Sequence, residues 1–538
     1  MRRILVVSVL LLASIASPAG MAVAHGRVAG HDAAAPRLRA DFNNDGAADL
    51  AVGAPTENVG AVEAAGAVNV LYGSVGGLTG VGSQLFTQDT PGVGSTAEQF
   101  DFFGETLASG DFNDDGFTDL AIGAPNETVG TAQGAGAVNV LFGSATGLTG
   151  TGSQLFTEGN TIGEGMLSNP FDVFGAALAA GDFDADGADD LAIGVPGAFI
   201  GDDRGDGVVV VLDGSPGGLV STGPFGQFFS QNSSGVGSSA EAGDSFGETL
   251  AVGDFNNSGA EDLAVGVPFE DVGAVVDAGA VNVLYGRPAT GLTGSNSQIF
   301  TQDSPGVGSS AEEFDEFGLA LAGGDFNADD ADDLAAGVPG EAVGAVQVAG
   351  AVNVLYGSTN RLSGTGSQLF TQDTPGVGST AEEFDRFGDA LAVGDFNNSG
   401  TEDLAVGAPS EAVGALQGAG AVNVLYGRPA TGLTGSNSQI FTQDSPGVGS
   451  TAEEVDQFGA ALAGGDFNAD DADDLAVGAP GESVGPVLVA GAVNALYGSI
   501  GRLSGTGSQL FTQDSPGVGS TAEEFDQFGA ALDATSGQ

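Results

Sequence analysis

Seven times this chain repeats an acidic nonamer of the form Asp-Phe-Asn/Asp-x-Asp/Ser-x-x-x-Asp, with its oxygen-bearing residues at alternate positions. Position 1 is Asp41, Asp111, Asp182, Asp254, Asp325, Asp395 and Asp466, and position 3 is Asn43, Asn113, Asp184, Asn256, Asn327, Asn397 and Asn468. Position 5 is Asp45, Asp115, Asp186, Ser258, Asp329, Ser399 and Asp470, and position 9 is Asp49, Asp119, Asp190, Asp262, Asp333, Asp403 and Asp474. The backbone carbonyls of position 7, at Ala47, Phe117, Ala188, Ala260, Ala331, Thr401 and Ala472, complete each set. Hard cations such as Ca2+ take about six to eight oxygens at about 2.3 to 2.6 Å, so carboxylates and amides alternating on a tight loop can surround one where isolated groups cannot. The expectation is up to seven bound calcium ions. An EF-hand would need a bidentate glutamate at position 12, where this chain has Val52, Ile122, Ile193, Val265, Ala336, Val406 or Val477, so these are strand-turn-strand loops.

The seven sites are not expected to be equal. Unit three offers four carboxylates and should bind most tightly, whereas Ser258 and Ser399 each remove a charge from units four and six. A glycine at position 6, such as Gly46, permits the sharp turn. Units five and seven place Asp330 and Asp471 there, which must accept a positive φ at some strain.

Loops this short need rigid flanks. The nonamers begin 70 to 72 residues apart over nearly the whole chain, which marks a repeat architecture whose units bury their apolar faces against one another. Each unit reads as four short strands; in the second these are predicted at Glu105–Phe112, Asp119–Gly123, Gly136–Phe142 and Ser153–Thr157, bounded by Gly, Pro, Asn and Asp. Four strands per unit and seven units predict an all-β fold, a seven-bladed β-propeller of four-stranded antiparallel blades. Kelch and WD-type blades have shorter periods and no acidic nonamer.

The chain resembles the FG-GAP repeat family, that is, the propeller of the integrin α-subunit and its bacterial secreted relatives. Phe103-Gly104 and Phe174-Gly175 carry the first half of that name, and Gly53-Ala54-Pro55, Gly123-Ala124-Pro125, Gly407-Ala408-Pro409 and Gly478-Ala479-Pro480 carry the second. Val195, Val267 and Val338 replace the alanine in units three to five. The resemblance spans residues 41–532 and implies calcium loops on one face and ligand on the opposite one. That opposite face would be lined by Glu98, Asp101, Glu312, Glu313, Asp315, Glu382, Glu383 and Asp385.

The first acidic loop lacks the Phe-Gly strand that precedes every other loop, and Phe528-Gly529-Ala530-Ala531-Leu532 is such a strand without its loop. The C-terminal strand is therefore expected to complete the first blade and close the ring. Units four and five recur almost verbatim as six and seven, as after a tandem duplication of two blades.

Composition sets the surroundings. Arg2-Arg3, an apolar run from Ile4 to Ile15 and Ala22-Val23-Ala24 read as a signal peptide over residues 1–24, followed by a flexible leader at 25–40 and, at the far end, a tail at 533–538. No apolar stretch is long enough to span a membrane, so a secreted or cell-surface protein is expected. There is no cysteine, and a net charge of −60 makes nucleic acid a poor partner and cations good ones. The propeller contains no His, Cys or Lys, which removes Ser-His, Cys-His and Schiff-base chemistry from the ring. Without tryptophan, and with all five tyrosines at one repeated Leu-Tyr-Gly strand position, a sugar platform has little to be built from. These features support a monomeric, calcium-stabilised extracellular binding or adhesion module for an unidentified protein or polysaccharide, and not an enzyme. Two alternatives are a structural surface protein without a specific ligand and a carboxylate-dependent hydrolase of glycans or lipid head groups.

Overall fold

Short runs of branched and small apolar residues between Gly, Pro and Asx turns fold as strands. In the second unit Thr106–Gly110 is innermost, followed outwards by Asp119–Ala124, Ala137–Phe142 and Thr149–Phe156, each antiparallel to its neighbour. The computed structural model describes residues 40–161, 168–199, 205–221 and 227–534, and among these the same four-stranded sheet occurs seven times. Their one α-helix is the single turn Glu158–Thr161, and no helix among them is long and apolar enough to cross a membrane. The expected signal peptide and leader up to residue 39 lie outside the described residues, as do 535–538.

Three of the four predicted strands of that unit lie within about two residues of the observed ones, the usual scatter of strand ends. The outermost begins earlier than expected, at Thr149 instead of Ser153. Its Thr-Gly-Thr-Gly start looks like a turn in sequence, but the backbone stays paired through a bulge between Val140 and Phe142.

Each blade is too thin to have a core of its own. The buried apolar residues group into seven clusters, one at each blade-to-blade interface; Val68 and Val70 of the first blade, for example, meet Leu120 and Ile122 of the second. The Phe-Gly and Gly-Ala-Pro pairs are one such contact. Gly104 sits at φ 89° and its N–H donates to the Gly123 carbonyl of its own blade at 2.9 Å. Its carbonyl faces Gly53 of the preceding blade so closely that a Cβ there would stand 2.1 Å from the oxygen. Only glycine fits both places.

Innermost strands touch in sequence around the ring, with Ala531–Asp533 between Ala461–Gly465 and Thr106–Gly110. Ala531, Leu532 and Asp533 pair with Gly53, Val52 and Ala51, so the chain's two ends build one blade. The acidic loops share a face with the third-to-fourth connections, since Asp49 Oδ1 accepts the Gly73 N–H at 2.9 Å. On the opposite face the second-to-third connections meet the blade-to-blade ones, as where Gln88 Nε2 donates to Glu127 at 2.5 Å.

Candidate metal centre

Every acidic loop is wound the same way. The position-1 carboxylate accepts the N–H groups of positions 5 and 6; Asp41 takes Asp45 at 3.0 Å and Gly46 at 2.8 Å, and Asp466 takes Asp470 at 3.1 Å and Asp471 at 2.9 Å. Position 4 turns through φ 50° to 57°, from Asn44 to Ala469. Position 6 is also left-handed, at 95° for Gly46 and, as expected for non-glycine residues forced into that turn, at 70° for Asp330 and Asp471. Behind the loop the position-2 phenylalanines, Phe42 to Phe467, are fully buried anchors.

Position 9 ties the loop to its blade. Asp119 is fully buried; its Oδ2 accepts the Phe112 N–H at 3.1 Å and its Oδ1 the Gly143 N–H at 2.8 Å. Burial, followed by repulsion from Asp111 and Asp115, pushes Asp119 up to about 8. Burial likewise pushes Asp49 and Asp190 up to about 9 and carries Asp262, Asp333, Asp403 and Asp474 well above the usual carboxylate range. A carboxylate raised in this way favours whatever positive charge reaches it, a proton or a cation.

Only in the third loop, among the described residues, do three carboxylates bring oxygens within 4.8 Å of one another: Asp182, Asp184 and Asp190. Asp184 Oδ1 is buried there without a hydrogen-bond partner, while Asp186 Oδ1 accepts the Ala188 N–H at 3.0 Å, as position 5 does in loops one, two, five and seven. Position 3 is an asparagine in every other unit, and in units two and four to seven its Nδ2 donates to the position-9 carboxylate, from Asn113 to Asp119 at 3.0 Å through Asn468 to Asp474 at 3.2 Å. Turning that amide by half a revolution presents Oδ1 in place of Nδ2. The all-oxygen donor set, the turn geometry and the orphaned Asp184 oxygen fit a hard divalent cation. Positions 1, 3, 5 and 9 with the position-7 carbonyl would hold it, and its charge would neutralise what the loop concentrates.

The acids of the opposite face divide into two kinds. Glu98, Glu312, Glu313, Glu382 and Glu383 are exposed, but Asp101, Asp315 and Asp385 are buried and do not line a surface, contrary to expectation. Each accepts the N–H of the glutamate three residues earlier, as Asp101 does from Glu98 at 2.6 Å. Beside them lie half-buried glutamates that the sequence did not single out, and burial first, then the neighbouring aspartate, pushes Glu127, Glu270, Glu341, Glu411 and Glu482 up to about 8. Because the folded values exceed the unfolded one near 4.5, this stabilisation is complete below about pH 4.5 and is lost as pH rises through about 8. In excess chelator the melting temperature should therefore fall by several degrees between pH 5 and pH 9, and Glu341→Gln with Glu482→Gln should flatten that slope. A melting temperature that holds steady or rises over this range would contradict the assignment.

The same face carries another feature not read from the sequence. Phe100, Phe171, Phe314, Phe384 and Phe525 are 47% to 61% exposed, and all sit at positive φ, between 66° and 71°. Only their recurrence three residues before five of the seven Phe-Gly pairs could have flagged them.

A model of the FG-GAP repeat matches residues 39–71, 103–141, 174–212, 387–425 and 458–493. Phosphatidylinositol-glycan-specific phospholipase D of Rattus norvegicus is 31% identical over 221 residues, 41% of this chain and 24% of that protein. Integrin alpha-5 of Xenopus laevis is 30% identical over 224 residues, 41% of this chain and 18% of that protein. The chain thus spans about a quarter or less of the curated relatives it matches. The solved structure of the exotype rhamnogalacturonan lyase YesX aligns over 91% of this chain and 83% of its own, at 11% identity and a TM-score of 0.37, too low to carry an argument. The exclusion of enzymes drawn from the sequence does not stand. Phospholipases are among the relatives, and an inventory of the ring's side chains says nothing about the reactions of proteins in which such rings occur.

Proposed function

From a chain built of FG-GAP repeats, we propose a secreted propeller, stabilised by calcium in its acidic loops, that acts as a binding module through the face opposite those loops. The observation that carries this reading is the set of exposed phenylalanines that recurs at five of the seven blades. A large apolar side chain in water gains nothing by itself, and a left-handed backbone costs a non-glycine residue about 1 kcal/mol or more. The turn itself belongs to the fold, since Val455 makes it too at φ 69° and the N–H at this position is held, as Phe100 donates to the Glu63 carbonyl at 3.0 Å. Folding does not require a large apolar side chain to be exposed there in five blades, and an interaction surface does. The exposed Glu312, Glu313, Glu382 and Glu383 frame it with negative charge. The partner is an extracellular protein or polysaccharide, and the ring is monomeric.

Retention of the purified protein on whole cells and on immobilised extracellular polysaccharide, with calcium and with chelator, tests the reading. Changing Phe314, Phe384 and Phe525 together to serine should abolish retention and leave the melting temperature within about 2 °C, as exposed substitutions away from the core usually do. Undiminished retention by that variant would remove the face from consideration. A second reading is favoured by the phospholipase relatives: such a ring works within an enzyme acting on phosphatidylinositol-glycans. Release of a glycosylphosphatidylinositol-anchored reporter from vesicles would support it, and no release at micromolar protein would oppose it.

A further inference from the structure

The basic side chains among the described residues are Arg287, Arg361, Arg386, Arg428 and Arg502, in a chain with 71 acidic residues. Arg386 is paired with Asp389 at 2.7 Å and with Glu316 at 3.6 Å. The other four form no ion pair among the described residues. They occupy two positions of the repeat. The residue after the glycine that ends the third strand is serine in five blades, but Arg287 in blade four and Arg428 in blade six. The residue before the leucine that leads into the fourth strand is glycine in five blades, but Arg361 in blade five and Arg502 in blade seven. Arginines therefore meet at the junctions of blades four with five and six with seven, on the face of the acidic loops.

Both junctions are built alike. At the first, Arg287 donates to the Ser295 carbonyl at 3.4 Å and Arg361 to that of the next residue, Asn296, at 2.9 Å, with its guanidinium 4.6 Å from the centre of the Tyr285 ring. At the second, Arg502 donates to the Asn437 carbonyl at 2.9 Å and lies 5.0 Å from the Tyr426 ring. An open cavity of about 270 Å3 is lined there by Arg428 and Arg502 together with Asn397, Tyr426, Ser436 and Asn437. Arg361 holds a φ of 79°, a left-handed backbone that glycine supplies without strain in five other blades.

This arrangement suits an incoming anion. A guanidinium fixed by a ring face and one carbonyl keeps most of its five N–H donors for another group. Two such cations on one cavity repel each other unless an anion lies between them. No carboxylate of the chain takes that place, and the adjoining loops carry Ser258 and Ser399 at position 5, where the five other loops carry aspartate. The cavity is smaller than the roughly 300 to 1,000 Å3 that drug-sized ligands fill, so it suits a single compact group. We propose that the two junctions are oxyanion-binding sites, in which paired arginines hold the charged oxygens of a free inorganic anion or of an acidic sugar. The sites lie on the face away from the exposed phenylalanines and depend on no reading of that surface.

Equilibrium dialysis of the full chain with calcium chloride present, against labelled sulfate in one arm and galacturonate in the other, counts bound anions. Two per chain are expected. Binding of sulfate alone assigns the sites to a free inorganic anion, and tighter retention of galacturonate assigns them to an acidic sugar. Arg428→Ser with Arg502→Gly should halve the count, and adding Arg287→Ser with Arg361→Gly should bring it to zero. These changes install residues that other blades already carry, so without added anion the fourfold variant should melt no more than about 2 °C below the parent. Sulfate should raise the melting temperature of the parent and leave that of the fourfold variant unchanged. No binding in either arm, or an undiminished count in the fourfold variant, would overturn the proposal.

Discussion

Removing divalent cations at pH 8 should lower the melting temperature of the ring by about 8 to 19 °C. A ligand at a hundred times its dissociation constant stabilises the folded state by roughly 2.7 kcal/mol per site, provided that it does not bind the unfolded chain. Unfolding entropy of about 2 cal/mol/K per residue makes each kcal/mol worth about 1 °C in a ring of roughly 495 residues. Seven filled loops then sum to about 19 kcal/mol and three to about 8, which sets the range. The effect should shrink towards pH 5, because Asp49, Asp119 and Asp190, lifted by burial to about 9, 8 and 9, take up protons there instead. Differential scanning calorimetry with calcium and with excess chelator measures this directly. Superimposable curves at pH 8, with no calcium found by elemental analysis, would end the metal assignment.

Deleting residues 525–538 should do more damage still, opening the ring. The deletion removes Phe528, Leu532 and Ala534, all fully buried, together with the Gly529 N–H that donates to the Gly53 carbonyl at 2.9 Å and the pairing of Ala531–Asp533 with the first blade. Each large buried apolar side chain lost costs about 2 to 5 kcal/mol, and the strand Leu50–Ala54 becomes a bare edge with apolar side chains on both faces. The truncated chain should show a larger hydrodynamic radius and aggregate, and a peptide of residues 525–538 added in trans should partly restore the monomer by strand addition. A truncated protein that stays compact, monomeric and equally heat-resistant would show that closure lies elsewhere.

Much of this architecture was legible because every unit says the same thing. A long period, a turn-bounded apolar run and an acidic nonamer repeated seven times outvote any local ambiguity, and the missing and surplus Phe-Gly strands announced how the ends meet. The Thr-Gly-Thr-Gly start of the outer strand was not legible, because its pairing rests on backbone hydrogen bonds and small side chains that carry no apolar alternation. Nor was the division of the opposite face, where Asp101 is buried and Glu98 exposed although one acid resembles another in sequence. The catalytic question failed for a different reason: residue types in the ring bound the ring's own chemistry and leave open that of its relatives.

Building one blade from both ends also imposes an order in time. Three strands of the first blade leave the ribosome early, and the fourth exists only once residue 533 has been added. Until then Leu50–Ala54 is an unpaired edge at one rim of a growing arc, while Ala461–Gly465 at the other rim waits for its neighbour. Blades two to seven can each form their sheet as they emerge, but the circle closes only through Ala531–Asp533, so these three residues decide whether nearly five hundred before them become a closed particle.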